Sequence, residues 1–139
     1  WHIFQVLTKR SKRLKELSCK INWTNNIWMG VTVENEESLY RAEDLKKTGA
    51  KIKFISAEPL LTALDSLNLE GIDWIIVGGE SGHHSRPMEK EWVVNIRNNA
   101  HKTNVPFFFK QWGGKNKKKA GRLLDGRTYD EYPEVISID

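Results

Sequence analysis

Five short apolar runs punctuate the chain: Ile3–Thr8, Ile27–Val33, Ile52–Ala57, Trp74–Val77 and Val105–Phe109. They are rich in β-branched and aromatic residues and show no regular alternation of apolar with polar positions. That is the pattern of strands buried on both faces. Helical patterns lie between them. Ser11 is placed to cap a helix that carries Leu14, Leu17 and Ile21 along one side. A second helix is marked more fully, with Asn35 at the cap, Glu36 and Glu37 in the first turn, and a stripe of Leu39, Ala42 and Leu45. Lys46 and Lys47 close it before Gly49, so the charges at both ends suit the helix dipole. A third helix is predicted from Glu89 to His101, with Trp92, Val93, Ile96 and Ala100 facing inward. Leu60–Leu69 reads as a short helix or turn.

The runs begin at residues 3, 27, 52, 74 and 105, the pace of βαβ units. The predicted fold is therefore α/β, with five parallel strands alternating with helices through right-handed crossovers. A complete (β/α) barrel takes about 250 residues, and the five strands of residues 1–114 would supply somewhat over half of one. The alternatives are a partial TIM-type barrel completed by missing or partner chain and an open doubly wound sheet. Residues 115–139 read as a basic polar carboxy-terminal tail, with turn signals at Asp125-Gly126 and Pro133. The apolar run starts almost at Trp1, which suggests a fragment of a longer protein. Its first and last strands are expected to present open edges, to the missing amino-terminal half or to another copy.

Composition narrows the classes. No apolar run approaches the roughly 18 residues of a membrane span, and no secretory leader is recognisable. The one cysteine, Cys19, excludes an internal disulfide framework or an all-cysteine metal site built by this chain alone. It reads as a small hydrophobe, and a cytoplasmic setting is expected. The charge is unevenly placed. Residues 1–20 hold six basic side chains against Glu16, and residues 110–122 hold six with no acid, so the remainder is net acidic. Such flanks attract phosphate or are simply solvated. As nucleic-acid contacts they nominate Lys115, Lys117, Lys118, Lys119 and Arg122.

The strand ends carry the candidate chemistry. In order they read Thr8-Lys9-Arg10, Glu34-Asn35, Ser56-Ala57-Glu58-Pro59, Gly78-Gly79-Glu80-Ser81-Gly82 and Lys110-Gln111-Trp112-Gly113-Gly114. In a parallel sheet these ends share one rim, where α/β folds bind ligands. Glu34, Glu58 and Glu80 are the catalytic candidates, as acid/base groups or ligands of a hard cation. Lys9, Arg10, Asn35, Ser56, Gly78, Gly79, Ser81, Lys110, Gln111 and Trp112 are the substrate- or cofactor-binding candidates. The competing reading is that the charges pair with one another and merely knit the rim. Gly78-Gly79 suits either an anion held on backbone N–H groups or an ordinary tight turn. Trp112 suits stacking on a base or packing over the rim. His83 and His84 read as exposed loop residues.

The same strand ends carry a resemblance. Phe4-Gln5-Val6-Leu7-Thr8-Lys9-Arg10, Gly30-Val31-Thr32-Val33-Glu34-Asn35, Ser56-Ala57-Glu58-Pro59-Leu60-Leu61, Val77-Gly78-Gly79-Glu80-Ser81-Gly82 and Phe107-Phe108-Phe109-Lys110-Gln111-Trp112-Gly113-Gly114 resemble, in order, stretches of a family of poorly characterised bacteriophage and prophage proteins. Arg86-Pro87-Met88 and Ala120-Gly121-Arg122-Leu123-Leu124-Asp125-Gly126-Arg127 match as well. Full-length members look like barrels related to the radical S-adenosylmethionine enzymes, with an amino-terminal cysteine cluster suited to a [4Fe–4S] centre. Cys19 matches no cluster position, and the His83-His84 pair departs from the small residues usual there.

The resemblance implies the carboxy-terminal, substrate-binding half of such a protein. It would contribute contacts to substrate and S-adenosylmethionine and would be inactive alone, and the basic flanks suggest a nucleotide or nucleic acid as what it acts on. The alternatives are a non-catalytic nucleic-acid-binding module and a metal-dependent hydrolase or isomerase built on the three glutamates.

Overall fold

The structure, a computed structural model, describes residues 2–134, and at Lys117 the backbone alone. The expectation attached to Trp1 lies outside the described residues, as does the end of the tail. The elements are β1 (Phe4–Thr8), α1 (Ser11–Leu17), β2 (Ile27–Thr32), α2 (Tyr40–Lys46), β3 (Ile52–Ala57), β4 (Trp74–Gly78), α3 (Lys90–Lys102), β5 (Phe107–Gln111) and α4 (Lys117–Ala120). Short 3-10 turns, Ser18–Lys20 and Glu36–Ser38, follow α1 and precede α2. The stretch from Leu60 to Leu69 forms turns without a helix, and its Leu60, Leu64, Leu67 and Leu69 are buried.

All four strand pairings are parallel and the order is β1-β2-β3-β4-β5. Every crossover advances one place in the same direction, so a constant crossover hand sends each helix to the same side. The packing agrees. Met29, Val31, Val33, Ile55, Ala57, Ile75, Val77, Phe107 and Phe109 share one core with Leu14, Ala42, Leu45, Val93, Ile96 and Ala100 of the helices. A doubly wound sheet, with helices on both faces, is not what forms. The sheet is open, since β1 and β5 do not pair.

The opposite face has a gradient of its own. Register aligns Phe54 with Trp74, Thr32 with Ser56 and Ser56 with Ile76. At the amino ends, Trp28, Phe54 and Trp74 form a buried aromatic cluster, with Trp74 edge-on at 5.9 Å to Trp28 and 6.1 Å to Phe108. Toward the carboxyl ends the same face carries the buried Thr32, Ser56 and Gly78.

Strand β1 departs from the expectation of strands buried on both sides. Its Phe4, Val6 and Leu7, and Ile3 beside it, are exposed. The last strand departs the other way. The chain turns at Leu124–Arg127 and runs back along β5. There Phe109 N–H donates to the Tyr129 carbonyl (2.9 Å), Glu131 N–H to the Phe107 carbonyl (3.3 Å), and Phe107 N–H to the Glu131 carboxylate (2.8 Å). Leu124 and Tyr129 are buried, the Tyr132 ring lies 5.1 Å from Trp74, and the Trp74 indole donates to the Glu131 carbonyl at 2.8 Å. The supposed polar tail is thus part of the fold, and it covers the β5 edge that the sequence suggested was open.

Two caps contrast. Asn35 accepts from Ser38 N–H at 3.0 Å while the Ser38 hydroxyl accepts from Asn35 N–H at 3.2 Å, a reciprocal capping box. Ser11 does not cap its helix. Its hydroxyl donates to Asp44 at 2.8 Å, and Lys15 pairs with the other oxygen of the same carboxylate, so that α1 is tied to α2. Among the described residues no helix is long and apolar enough to cross a membrane.

Candidate functional site

Side chains alternate across a strand, so the positions two beyond Thr32, Ser56 and Gly78 fall on the same face. Those positions are Glu34, Glu58 and Glu80, at the carboxyl ends of three adjacent strands. The structure gives each its own cation. Glu34 accepts from Lys9 and, at 2.9 Å, from Arg41, whose guanidinium also donates to the Thr32 carbonyl. Glu58 accepts from Lys110 at 2.8 Å. Glu80 accepts two bonds from the Arg86 guanidinium, both 2.8 Å, and one from the Arg86 backbone N–H at 2.9 Å.

A shift of register between Val77 and Gly78 sets up part of this arrangement. It places Gly78 opposite Gln111, so Lys110 is the extra residue of a bulge. Lys110 swings back toward β3 while Gln111 donates to the Ser81 hydroxyl at 2.9 Å.

Burial by itself would raise the Glu34 carboxyl. The hydrogen bonds and charges of Lys9 and Arg41 outweigh it and hold the group below its ordinary value. The side-chain bonds from Arg86, aided by its backbone N–H, hold Glu80 down to about 2. Both carboxylates are therefore ionised at neutral pH and ill matched to a general acid there. Exposure divides the pairs by sign. The side chains of Glu34, Glu58 and Glu80 are 14%, 20% and 29% exposed, whereas Lys9, Lys110 and Arg86 are 57%, 53% and 59% exposed. The acids form an inner layer with Arg41, and the other three cations face outward.

The other predicted site residues take several positions. Arg10 is exposed beside Lys9, and among the described residues no acid pairs with it. Ser56 is buried below the glutamates. The Asn35 side chain is occupied by its cap. At Gly79 a Cβ would stand 1.9 Å from the Trp112 carbonyl oxygen, and at Gly113 one would stand 2.3 Å from that of Glu80. Two backbones cross there, and the Gly79 N–H donates to the Gln111 carbonyl at 2.9 Å. It is not turned out to an anion. Trp112 packs edge-on to Phe109 at 4.9 Å and donates to the Leu123 carbonyl at 2.8 Å, which is the packing alternative and not a free stacking ring.

Arg122 pairs with Asp130 over the Phe108 ring and so braces the returning tail. Lys115, Lys118 and Lys119 are exposed, whereas the side chain of Lys117 lies outside the described residues. His83 and His84 are exposed in the loop after β4, and Cys19 is exposed, not packed as a small hydrophobe. Sequence reasoning missed two cations of the rim. Arg86 was visible as part of a matching motif, and Arg41 only as a charge at the start of α2, off its apolar stripe.

A groove of about 920 Å³ lies at the other end of the sheet, lined by residues such as Ile52, Asp73, Asn104, Pro106 and Tyr132. It adjoins the amino ends of β3, β4 and β5, at the opposite end of the sheet from the charged rim.

A family model described as "protein of unknown function (DUF5131)" matches residues 1–133. The chain belongs to that family. No curated protein and no solved structure matches it. The match spans all five strands and every side chain of the rim in this DUF5131 chain. Among its described residues no three His, Cys, Asp or Glu side chains gather as a metal set. A [4Fe–4S] centre is held by several thiolates, and the single Cys19, in the turn after α1, does not supply them.

Proposed function

We propose that this chain is the carboxy-terminal, substrate-binding part of a (β/α) barrel of the radical S-adenosylmethionine type, as in the bacteriophage and prophage proteins it resembles. Its rim would face a nucleotide or a nucleic acid. One observation carries the reading: five strands wound in one direction, helices on one side, and an opposite face, without helices among the described residues, that runs from aromatic to polar and ends in charge. Strand β1 supports it. Phe4 and Val6 share the face of Met29, and Leu7 shares that of Gly30, yet all three are exposed. A further β/α unit of the intact protein would cover both faces and pair with the free edge.

In this reading the glutamates position their cations and orient polar groups of the substrate, and the cations meet negative charge. S-adenosylmethionine would supply the radical chemistry, on a cluster held by cysteines outside this chain. The exposure of Lys115, Lys118 and Lys119 favours a second reading, a binding module that holds nucleic acid without chemistry. Full-length protein purified without oxygen and assayed for iron, sulfide and cleavage of S-adenosylmethionine separates the two. Cluster and cleavage together are the expected result. Neither cluster nor cleavage would remove the enzyme and leave the binding module.

A further inference from the structure

We propose that the rim holds a phosphoryl group, from a nucleotide or a nucleic acid, between the side-chain heads of Lys9, Lys110 and Arg86. This rests on the rim being the ligand site and adds the chemistry of what it takes.

The cations are rooted far apart and brought together. Lys9 follows β1 and leans onto Glu34 at the end of β2, while Lys110 leaves β5 and crosses β4 to Glu58 at the end of β3. Arg86, in the loop after β4, folds back onto Glu80. Neighbouring strands stand about 4.8 Å apart, so the three carboxylates, and the heads fastened to them, occupy a stretch on the order of 10 Å. One or two phosphoryl groups fit that span.

Each head keeps donors in reserve. An ammonium has three N–H groups and a guanidinium five. Among the described partners Lys9 and Lys110 each use one, and the Arg86 guanidinium uses two. The side chains are more than half exposed, which leaves the remaining donors within reach of an anion from solvent. Because the carboxylates already hold them, little side-chain freedom is lost when an anion arrives.

The sign of the site is set by Arg41. With Lys9, Lys110 and Arg86 alone the three carboxylates would be balanced, and the fourth cation, beneath Glu34, leaves a positive excess to which the exposed Arg10 adds. A row of two ammonium groups that ends in a guanidinium fork suits a tetrahedral dianion.

The test uses the full-length polypeptide and calorimetric titration with inorganic pyrophosphate, a nucleoside monophosphate and a short single-stranded oligonucleotide. Pyrophosphate is expected to bind and to weaken with salt. Affinity should fall about tenfold or more in Arg86→Gln, and likewise in the paired change Lys110→Gln with Glu58→Gln. The paired change removes both charges together and leaves no carboxylate unmatched, and an unchanged thermal melt verifies that the fold is kept. A monophosphate that binds as well as the oligonucleotide identifies a nucleotide as the source, and the reverse identifies nucleic acid. No pyrophosphate binding overturns the inference. So does loss of binding in Lys118→Ala with Lys119→Ala while the rim variants still bind, because the anion then sits on the tail. Cleavage of S-adenosylmethionine without pyrophosphate binding would sink this inference and leave the barrel reading standing. Pyrophosphate bound at the rim without cluster or cleavage would do the opposite.

Discussion

Lys110, on β5, donates to the Glu58 carboxylate at 2.8 Å although β4 lies between their strands. Two local features make the reach possible. The bulge at Val77/Gly78 frees Lys110 from the ladder, and Gly78 leaves room for the Glu58 side chain to lie across β4.

Gly78→Ala tests that crossing. A Cβ there would stand 3.2 Å from Glu58 Cγ and 3.3 Å from Cδ, so the glutamate must move by a few tenths of an ångström. A partly exposed side chain can do so, and the variant should lose about 1 kcal/mol of stability, the low end for overpacking. The displaced carboxylate would hold Lys110 less closely. Urea midpoints close to those of the parent together with a weakened pyrophosphate titration are expected. An unchanged titration would show that Glu58 does not position the ammonium.

Gly79→Ala should behave quite differently. Its Cβ meets backbone, 1.9 Å from the Trp112 carbonyl oxygen, and the reciprocal approach at Gly113 leaves neither loop room to yield. The two loops must separate, breaking the bonds from Gly79 N–H to Gln111 and from Gly114 N–H to Glu80. A loss of about 3 kcal/mol or more is expected, visible as a lower thermal midpoint. Near-parental stability in Gly79→Ala would mean that the loops do not cross in solution as they do here.

These contrasts show what was legible in the sequence. Continuous apolar runs located all five strands to within two residues at each end, because burial on two faces leaves that mark in any order of strands, and β1 carries it although it is exposed here. The strand order itself has no local mark, so one-sided winding could not be separated from a doubly wound sheet. The rim was legible because parallel strands bring their carboxyl ends together. Its pairing was not, since the reach of Lys110 depends on a bulge that exists only once β4 and β5 are aligned. The Gly78-Gly79 pair announced a close approach without saying to what, and the approaching carbonyl belongs to the distant Trp112. The tail misled for another reason. Its attachment to β5 is largely through backbone groups, and among its described residues only Leu124, Tyr129 and Pro133 are buried.

The low Glu80 carboxyl carries a pH dependence whose sign is fixed. Unfolded, the group titrates near 4.5, and folded, under the Arg86 bonds, near about 2. Above 4.5 both states are ionised and the contribution is complete. As pH falls toward about 2 the unfolded state takes the proton first, so the stabilisation drains away across that window. Glu34 is lowered too and adds in the same direction. Urea midpoints of the parent should therefore fall through the window, and those of Glu80→Gln should fall less steeply from a lower neutral value. Identical slopes for the two would mean that the Arg86 contact is not held in solution.

The last prediction concerns the returning tail. Tyr129 packs edge-on to Phe107 at 5.5 Å under the guanidinium of Arg127, 4.3 Å from its ring, and its carbonyl takes the Phe109 N–H. Tyr129→Ala should cost about 3–5 kcal/mol, as for other large buried aromatics. Ending the chain before Arg122 should do more. It bares the β5 edge and uncovers Trp74 and Phe108, so that an apolar strand can pair with another copy. Light scattering behind a sizing column should then show concentration-dependent association beyond any shown by the parent, with a lowered melt. A truncated chain that keeps the parent's mass and melting point would make the tail the solvated appendage that its composition suggests.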